Sequence, residues 1–373
     1  MLDNLIGLPI EKKIGQLFFI GLPNAELDSE TRELLREISP GGICLFTRNI
    51  QEASQTRALI ENTRELLPVE PLISLDQEGG LVDRLRRIVE PMPAPSTLKF
   101  PAQAKILAET TAEIIRILGF NMNFAPVVDV INEIRVNSYN GLYSRAFGKT
   151  KSEVVEFARE YLTTLQDKGC IGCLKHFPGL GASQTDSHEE QPNVYLTREE
   201  LFEIDLHPYR RLFSAGDVHS VMIAHAGFPR FDLQETDKNG KLLPASLSYN
   251  IVTKLLREEL DFDGIAVTDD LEMGAIVKNY GIGEACQLAV LAGEDMLAIC
   301  ASPISIKEGF NAILEAVQSE KISESRIDES LRRIARVKSL IQPSLPFDTE
   351  KLQFLSDKIL QLNKNITEDI QIA

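Results

Sequence analysis

The run Gly264-Ile265-Ala266-Val267-Thr268-Asp269-Asp270-Leu271-Glu272-Met273 decides how this chain is read. It opens on a short apolar stretch without polar alternation, the pattern of a strand covered on both faces, and stops abruptly at two carboxylates. Similar runs rich in Val, Ile and Phe lie at Leu17 to Gly21, Gly42 to Phe46, Leu72 to Leu75, Asn123 to Val128, Ile171 to Lys175, Ser220 to Ala224 and Asp295 to Ile299. With Gly264 to Thr268 they make eight. Helix-length segments separate them. Ser152 to Gln166 sets Val155, Ala158, Leu162 and Leu165 on one face, and Thr197 with Glu200 three residues later spells a capping box. Eight strands alternating with helices, without a Gly-rich phosphate loop after the first, predict an α/β fold with a single (β/α)8 TIM-type barrel. The barrel takes residues 1–341. A polar C-terminal tail, 342–373, follows, with one short amphipathic helix around Leu352 to Leu362.

Composition narrows the partners. The 373 residues are 43% hydrophobic, enough for a large core, and carry a formal charge of −16. Such an acidic surface argues against nucleic-acid binding, which depends on cations that displace counterions from phosphates. No run approaches the roughly 18 to 20 apolar residues of a membrane span. The start, Met1-Leu2-Asp3-Asn4, lacks the basic region, apolar stretch and small-residue cleavage site of a signal peptide, so a cytoplasmic location is expected. Five cysteines, an odd number, do not suggest a disulfide framework and read as reduced thiols. Cys170 and Cys173 spell C-x-x-C, but residues three apart on a strand face opposite ways, which argues against a redox or metal site.

In a closed parallel barrel the carboxyl ends of the strands form the active-site mouth. Asp76, Asp129, His176, His225 and Asp269 all fall there. Any one of them reads equally well as a helix cap or loop hydrogen-bonder; five at one rim point to a site. One reading is a metal-dependent hydrolase, because histidines after the fifth and sixth strands suit zinc. Against it, no H-x-H follows the first strand, no H-E-x-x-H occurs, and Cys300 rather than a carboxylate ends the eighth. The rival reading is sugar chemistry, which needs a carboxylate at an oxocarbenium-like centre and a proton donor for the departing oxygen. Asp269, held at the end of a strand, supplies the carboxylate, with Asp270 the alternative. The loop Phe177 to Pro192 contains Asp186-Ser187-His188, where a carboxylate beside an imidazole favours the charged ring of a general acid. An exposed Asp and His on a polar loop is the competing reading.

The string Lys175-His176-Phe177-Pro178-Gly179 through Asp186-Ser187-His188 resembles the K-H-F-P-G-x-G-x-x-x-x-D-S-H signature of the bacterial β-N-acetylglucosaminidases of glycoside hydrolase family 3. Asp76-Gln77-Glu78-Gly79-Gly80 with Arg84, Ser144-Arg145-Ala146-Phe147-Gly148, and Thr268-Asp269-Asp270 with Met273 are similar too. The resemblance runs over roughly residues 5–340. It implies Asp269 as nucleophile, His188 as acid/base paired with Asp186, and Asp76, Arg84, Arg145, Lys175 and His176 as the N-acetylglucosamine clamp. His225 reads either as pocket wall or as a satisfied interior histidine, and Asp129 as structural. The resemblance implies a metal- and cofactor-free exo-hydrolase whose small-molecule carbohydrate substrate comes from muropeptides. A phosphorylase, a β-glucosidase and a non-catalytic sugar binder are the alternatives. Leu180 and Ala182 depart from the family pattern, which commonly has His and a polar residue at those positions.

Overall fold

The computed structural model describes residues 2–136, 140–184 and 190–368. Among the described residues nine short strands follow one another: β1 Phe18–Gly21, β2 Gly42–Cys44, β3 Leu72–Ser74, β4 Met122–Asn123, β5 Ile171–Gly172, β6 Leu174–Phe177, β7 Ser220–Ile223, β8 Ile265–Asp270 and β9 Met296–Ile299. Seven form one curled sheet in the order β3-β2-β1-β9-β8-β7-β6, and β4 pairs with β5. The paired strands run parallel throughout.

Main-chain hydrogen bonds beyond the strands close the ring. The amides of Asn121 and Phe124 donate to Ile73 and Leu75 oxygens at 3.1 and 2.9 Å, joining β4 to β3. On the other side Cys173 N donates to Ala125 O at 2.9 Å and Val128 N to Lys175 O at 2.8 Å. β5 and β6 are therefore one barrel position interrupted at Cys173, and the eight predicted runs become a TIM-type barrel. A closed ring leaves no sheet edge unpaired, and its strands, covered on both faces, need the continuous apolar character read in the sequence. Phe19 and Phe124, with ring centroids 5.1 Å apart, help fill the interior.

Helices cover the outside. The segment predicted at Ser152 to Gln166 is helical over Lys151–Asp167, capped by Thr150 in a box with Glu153, and buries Val155, Ala158, Leu162 and Leu165. The Thr197–Glu200 box likewise opens a helix. At the C-terminus the helix is longer than the sequence predicts, Thr349–Thr367. Its Leu352, Leu355, Ile359 and Leu362 are buried, and it packs on the helix Pro101–Leu118. The Asn363 amide donates to Pro91 O at 3.0 Å, and Ser356 Oγ accepts the Glu90 N–H at 2.8 Å. Docking along its length carries the helix past the apolar residues that define it in the sequence. Among the described residues no helix is long and apolar enough to cross a membrane. All five cysteines are free and buried.

At the amino-end of β9, Glu294 is fully buried, and neither carboxylate oxygen has a hydrogen-bond partner among the described residues. Burial pushes its carboxyl well above the ordinary 4.5, with Asp295 adding repulsion and Arg257 and Arg326 opposing it. The folded form holds a proton that the unfolded chain releases, so Glu294 makes stability fall as pH rises above the ordinary carboxyl range. Glu294→Gln is expected to flatten that decline, and Glu294→Leu to raise stability by about 1–3 kcal/mol near neutrality. Urea unfolding at pH 5 and pH 8 reads both effects. Equal pH slopes in wild type and Glu294→Gln would count against the buried acid.

Candidate active site

A cavity of about 360 Å³ opens at the carboxyl ends of the strands, a size usual for a small-ligand site. Asp76, Arg84, Arg145, Lys175, His176 and Asp269, six of the eight predicted site residues, all line it. The other two, Asp186 and His188, lie outside the described residues. The strands explain the convergence. Asp76 follows β3, Lys175 and His176 lie in β6, and Asp269 lies in β8, which continues two residues beyond the predicted run, to Asp270.

A buried charge network organises one wall. Lys175 Nζ sits 2.8 Å from Asp76 Oδ1 and 2.6 Å from Glu78 Oε1. Arg145 grips the same Glu78 with two hydrogen bonds, Nε to Oε2 at 2.7 Å and a second nitrogen to Oε1 at 2.9 Å. Burial opposes ionisation of Glu78, yet the Arg145 guanidinium and the Lys175 ammonium hold its carboxyl well below the usual range. Lys175 in turn is kept charged by Asp76 and Glu78 despite its burial. Sequence reading missed Glu78 as a separate contributor, although it lies in the quoted string two residues after Asp76. Glu78→Gln keeps the shape but leaves the buried Lys175 and the half-buried Arg145 short of one anion. The expected loss is about 3–5 kcal/mol of stability, read as a lower urea midpoint. A loss below about 1 kcal/mol, the worth of an exposed pair, would mean the wall does not depend on this charge.

Arg84 approaches Asp76 at 3.5 Å, and its Nε is buried with no acceptor among the described residues. A donor left so in a cavity wall is suited to a ligand oxygen. Its main-chain N–H is fixed by Gln77 Oε1 at 2.9 Å, so the turn carrying it is anchored.

His176 is oriented by Asp129, whose Oδ2 lies 2.8 Å from Nδ1 and whose Oδ1 accepts the Leu180 N–H at 2.6 Å. With Nδ1–H donated to the carboxylate, Nε2 is left to face Arg145, 3.4 Å away, and the cavity. Asp129, which the sequence reading leaves structural, thus positions both a cavity histidine and the next loop. Its place at the strand end was the available signal. The loop stem is held further by Asn140, whose amide donates to Gly181 and Ser183 oxygens at 3.2 and 3.0 Å. Gly179 adopts φ +135°, and a Cβ there would come within 2.4 Å of Asp205 Cβ, so the stem needs glycine. Leu180, one of the two departures from the family pattern, lines the cavity; Ala182 packs against the hydrophobic core.

The two carboxylates ending β8 differ. For Asp269, burial opposes ionisation, but the His176 and His225 imidazoles and the Asp270 N–H, 2.8 Å from Oδ1, bring the carboxyl below its usual range. Burial pushes Asp270 up to about 7. Its Oδ1 accepts the N–H groups of Glu272 and Cys300 at 3.0 and 3.3 Å, so it also braces the turn. His225 is a satisfied interior histidine: Nδ1 meets Ser246 Oγ at 2.7 Å, Nε2 meets Asp270 O at 3.1 Å, and burial lowers its pKa. Among the described residues no three His, Cys, Asp or Glu side chains are grouped to hold a metal ion.

A closed parallel barrel with an ionised aspartate facing a wall of fixed charges defines a small-ligand enzyme site of the kind that works on polar, hydroxyl-rich molecules. The chain belongs to glycosyl hydrolase family 3: the model of the family's N-terminal domain matches residues 9–337. It is 31% identical over 360 residues to a β-hexosaminidase of Haemophilus influenzae, covering 94% of this chain and 95% of that one. It is also 31% identical over 345 residues to β-hexosaminidase A of Pseudoalteromonas piscicida, but spans only 56% of that protein's length. Among solved structures, a family 3 β-N-acetylglucosaminidase from Paenibacillus sp. str. FPU-7 superposes with a TM-score of 0.83 at 36% identity. That match covers 95% of this chain and 69% of the other.

Proposed function

We propose that this protein is a retaining exo-β-N-acetylglucosaminidase that releases terminal β-linked N-acetylglucosamine, with muropeptides as the source and the cytoplasm as the place of action. The observation that carries the reading is Asp269, a carboxyl kept below its usual range at the end of β8, facing the Asp76–Lys175–Glu78–Arg145 wall across one cavity. The β-hexosaminidase and β-N-acetylglucosaminidase names of the relatives support the substrate. The five reduced, buried thiols are in keeping with a reducing compartment.

In this reading Asp269 attacks the anomeric carbon as the glycosidic bond breaks, and forms a glycosyl ester. His188 gives its proton to the departing oxygen, then takes one from the water that cleaves the ester. Asp186 fixes the imidazole's tautomer and favours its charged form. Asp76, Arg84, Arg145, Lys175 and His176 hold the sugar's hydroxyls and acetamido group, and the buried Arg84 Nε offers a donor that ligand binding would satisfy. Since Lys175 and Arg145 are already braced by Glu78, the clamp is organised before substrate arrives.

Incubation with an aryl β-N-acetylglucosaminide, with and without inorganic phosphate and beside the matching glucoside, tests the proposal. Release of free N-acetylglucosamine, independent of phosphate and far faster than glucose release, is expected. Formation of a sugar 1-phosphate would make it a phosphorylase, and preference for the glucoside would overturn the sugar assignment.

A further inference from the structure

Two thiols meet in the wall of the active-site cavity. Cys44 ends β2 and Cys300 follows β9, the strands on either side of β1, and both line the cavity together with Asp269. The residue of β1 that lies between them is Gly21, in register with Cys44. A Cβ on Gly21 would stand 2.0 Å from Cys300 O, so only glycine lets the chain leaving β9 fold in so closely over β1. Across that gap the Cys44 and Cys300 side chains hydrogen-bond to each other. The other three cysteines, Cys170, Cys173 and Cys286, do not line this cavity.

The surroundings select the chemistry these thiols can do. The Cys44 thiol, burial and the Asp270 carboxyl together push the Cys300 thiol well above the ordinary 9.0. It keeps its proton at neutrality, and a protonated thiol is a poor nucleophile, so oxidants and alkylating agents meet little thiolate. A soft cation acts differently, because it displaces the protons as the sulfur–metal bonds form. Two sulfurs within hydrogen-bonding reach can close on one ion, since each metal–sulfur bond spans roughly 2.3 Å. Among the described residues no three His, Cys, Asp or Glu side chains are grouped for a metal, so a tetrahedral ion is not served. Thiolates select soft ions such as copper(I), for which two sulfurs suffice. Two thiolates on a monovalent cation leave one negative charge, and Arg48 stands ready to offset it. Its guanidinium donates to the main-chain oxygens of Cys300 and of Leu22, the latter at 2.9 Å, and has no carboxylate partner among the described residues. It also lies beside Gly21, where a Cβ would be 2.9 Å from one of its nitrogens.

We propose that Cys44 and Cys300 form a two-thiol site for a soft monovalent cation of the copper(I) type, and that its occupation obstructs the active-site cavity. Each thiol gives its proton to water, each sulfur donates an electron pair to the ion, and nothing is oxidised or reduced. The bis-thiolate keeps one negative charge against Arg48. Cys300 is tied to the turn after β8, since its N–H donates to Asp270 Oδ1 at 3.3 Å, so drawing the sulfurs onto an ion pulls on the residue next to Asp269. The ion and its charge stand in the space that receives the sugar. Binding rests on the two cysteines alone, whereas inhibition rests on the proposed glycosidase activity.

The whole protein, reduced and kept free of air, is given one equivalent of copper(I) as its acetonitrile complex and then challenged with the chelator bicinchoninate. The wild type should retain one copper per chain. Its kcat/KM for an aryl β-N-acetylglucosaminide should fall by about tenfold or more, the equivalent of one or two hydrogen bonds to the sugar. Prior saturation with N-acetylglucosamine should slow the loading. Cys44→Ser and Cys44→Val each leave a single sulfur, and either should surrender its copper to the chelator and hydrolyse equally with and without the metal. Comparing each variant with itself cancels any general loss of activity, and Cys170→Ser, altered outside the cavity, should respond as the wild type does. Copper lost from the wild type under the challenge, or retention and inhibition that persist in the Cys44 variants, would overturn the site and leave the two thiols as small apolar core residues. Retained copper without inhibition would overturn the obstruction. Retained copper in a protein that hydrolyses no glycoside would sink the glycosidase reading and keep the binding site.

Discussion

Asp269→Asn is expected to lower kcat/KM by on the order of 10⁵-fold with every leaving group, the scale seen when a covalent nucleophile is removed. An amide forms no normal glycosyl ester and stabilises developing positive charge poorly, so a good leaving group should not rescue the variant. The neighbouring Asp270 provides the control. Its carboxyl, pushed up to about 7, accepts main-chain N–H groups that a correctly turned amide oxygen can also accept. Asp270→Asn should therefore cost about tenfold or less, the equivalent of roughly one weakened hydrogen bond. Steady-state rates on a series of aryl glycosides, with mass spectrometry of a trapped glycosyl-enzyme, separate the two. A covalent sugar on the peptide carrying Asp269 in wild type, absent in Asp269→Asn, is the expected record. If Asp270→Asn is the dead variant instead, the nucleophile has been misassigned.

His188→Ala should separate the two steps. Without a proton donor, glycosyl-enzyme formation should survive with a nitrophenolate, which needs no protonation to depart, and fail with a sugar leaving group. The loss on a disaccharide should be about 10²- to 10⁴-fold, the usual worth of general acid catalysis. Asp186→Ala should give a milder version of the same profile, because it disturbs the orientation and charge of the imidazole without deleting it. Pre-steady-state bursts with good and poor leaving groups measure the first step directly. Equal slowing of both by His188→Ala would remove His188 from the acid role.

The barrel was legible because its signal is local and repeated. Each strand covered on both faces must be a short apolar run, and each crossover must be a helix with its own apolar face or caps, so the eight runs, the Ser152 to Gln166 face and the Thr197 helix start stand in the sequence, whereas the Thr150 cap came only with the structure. The polar residues at strand ends were legible for the same reason: Asp76, His176 and Asp269 follow or finish such runs, and the barrel turns that position into a shared mouth. The C-terminal helix was only half legible, because its outer turns are polar and the helix extends along its docking surface on Pro101–Leu118.

What the sequence determined by itself was the kind of fold and the chemical types at its mouth, since periodicity and strand-end position depend only on neighbours along the chain. Tertiary structure alone decided which groups share a charge. Lys175 meets Asp76 across a sequence separation of 99 residues, Arg145 meets Glu78 across 67, and Asp129 meets His176 across 47. It also decided that Asp269 is ionised while Asp270, one residue on, holds its proton to about pH 7. Burial and the charges brought alongside by distant segments set those states, and neither quantity is written in the spacing of residues along a chain.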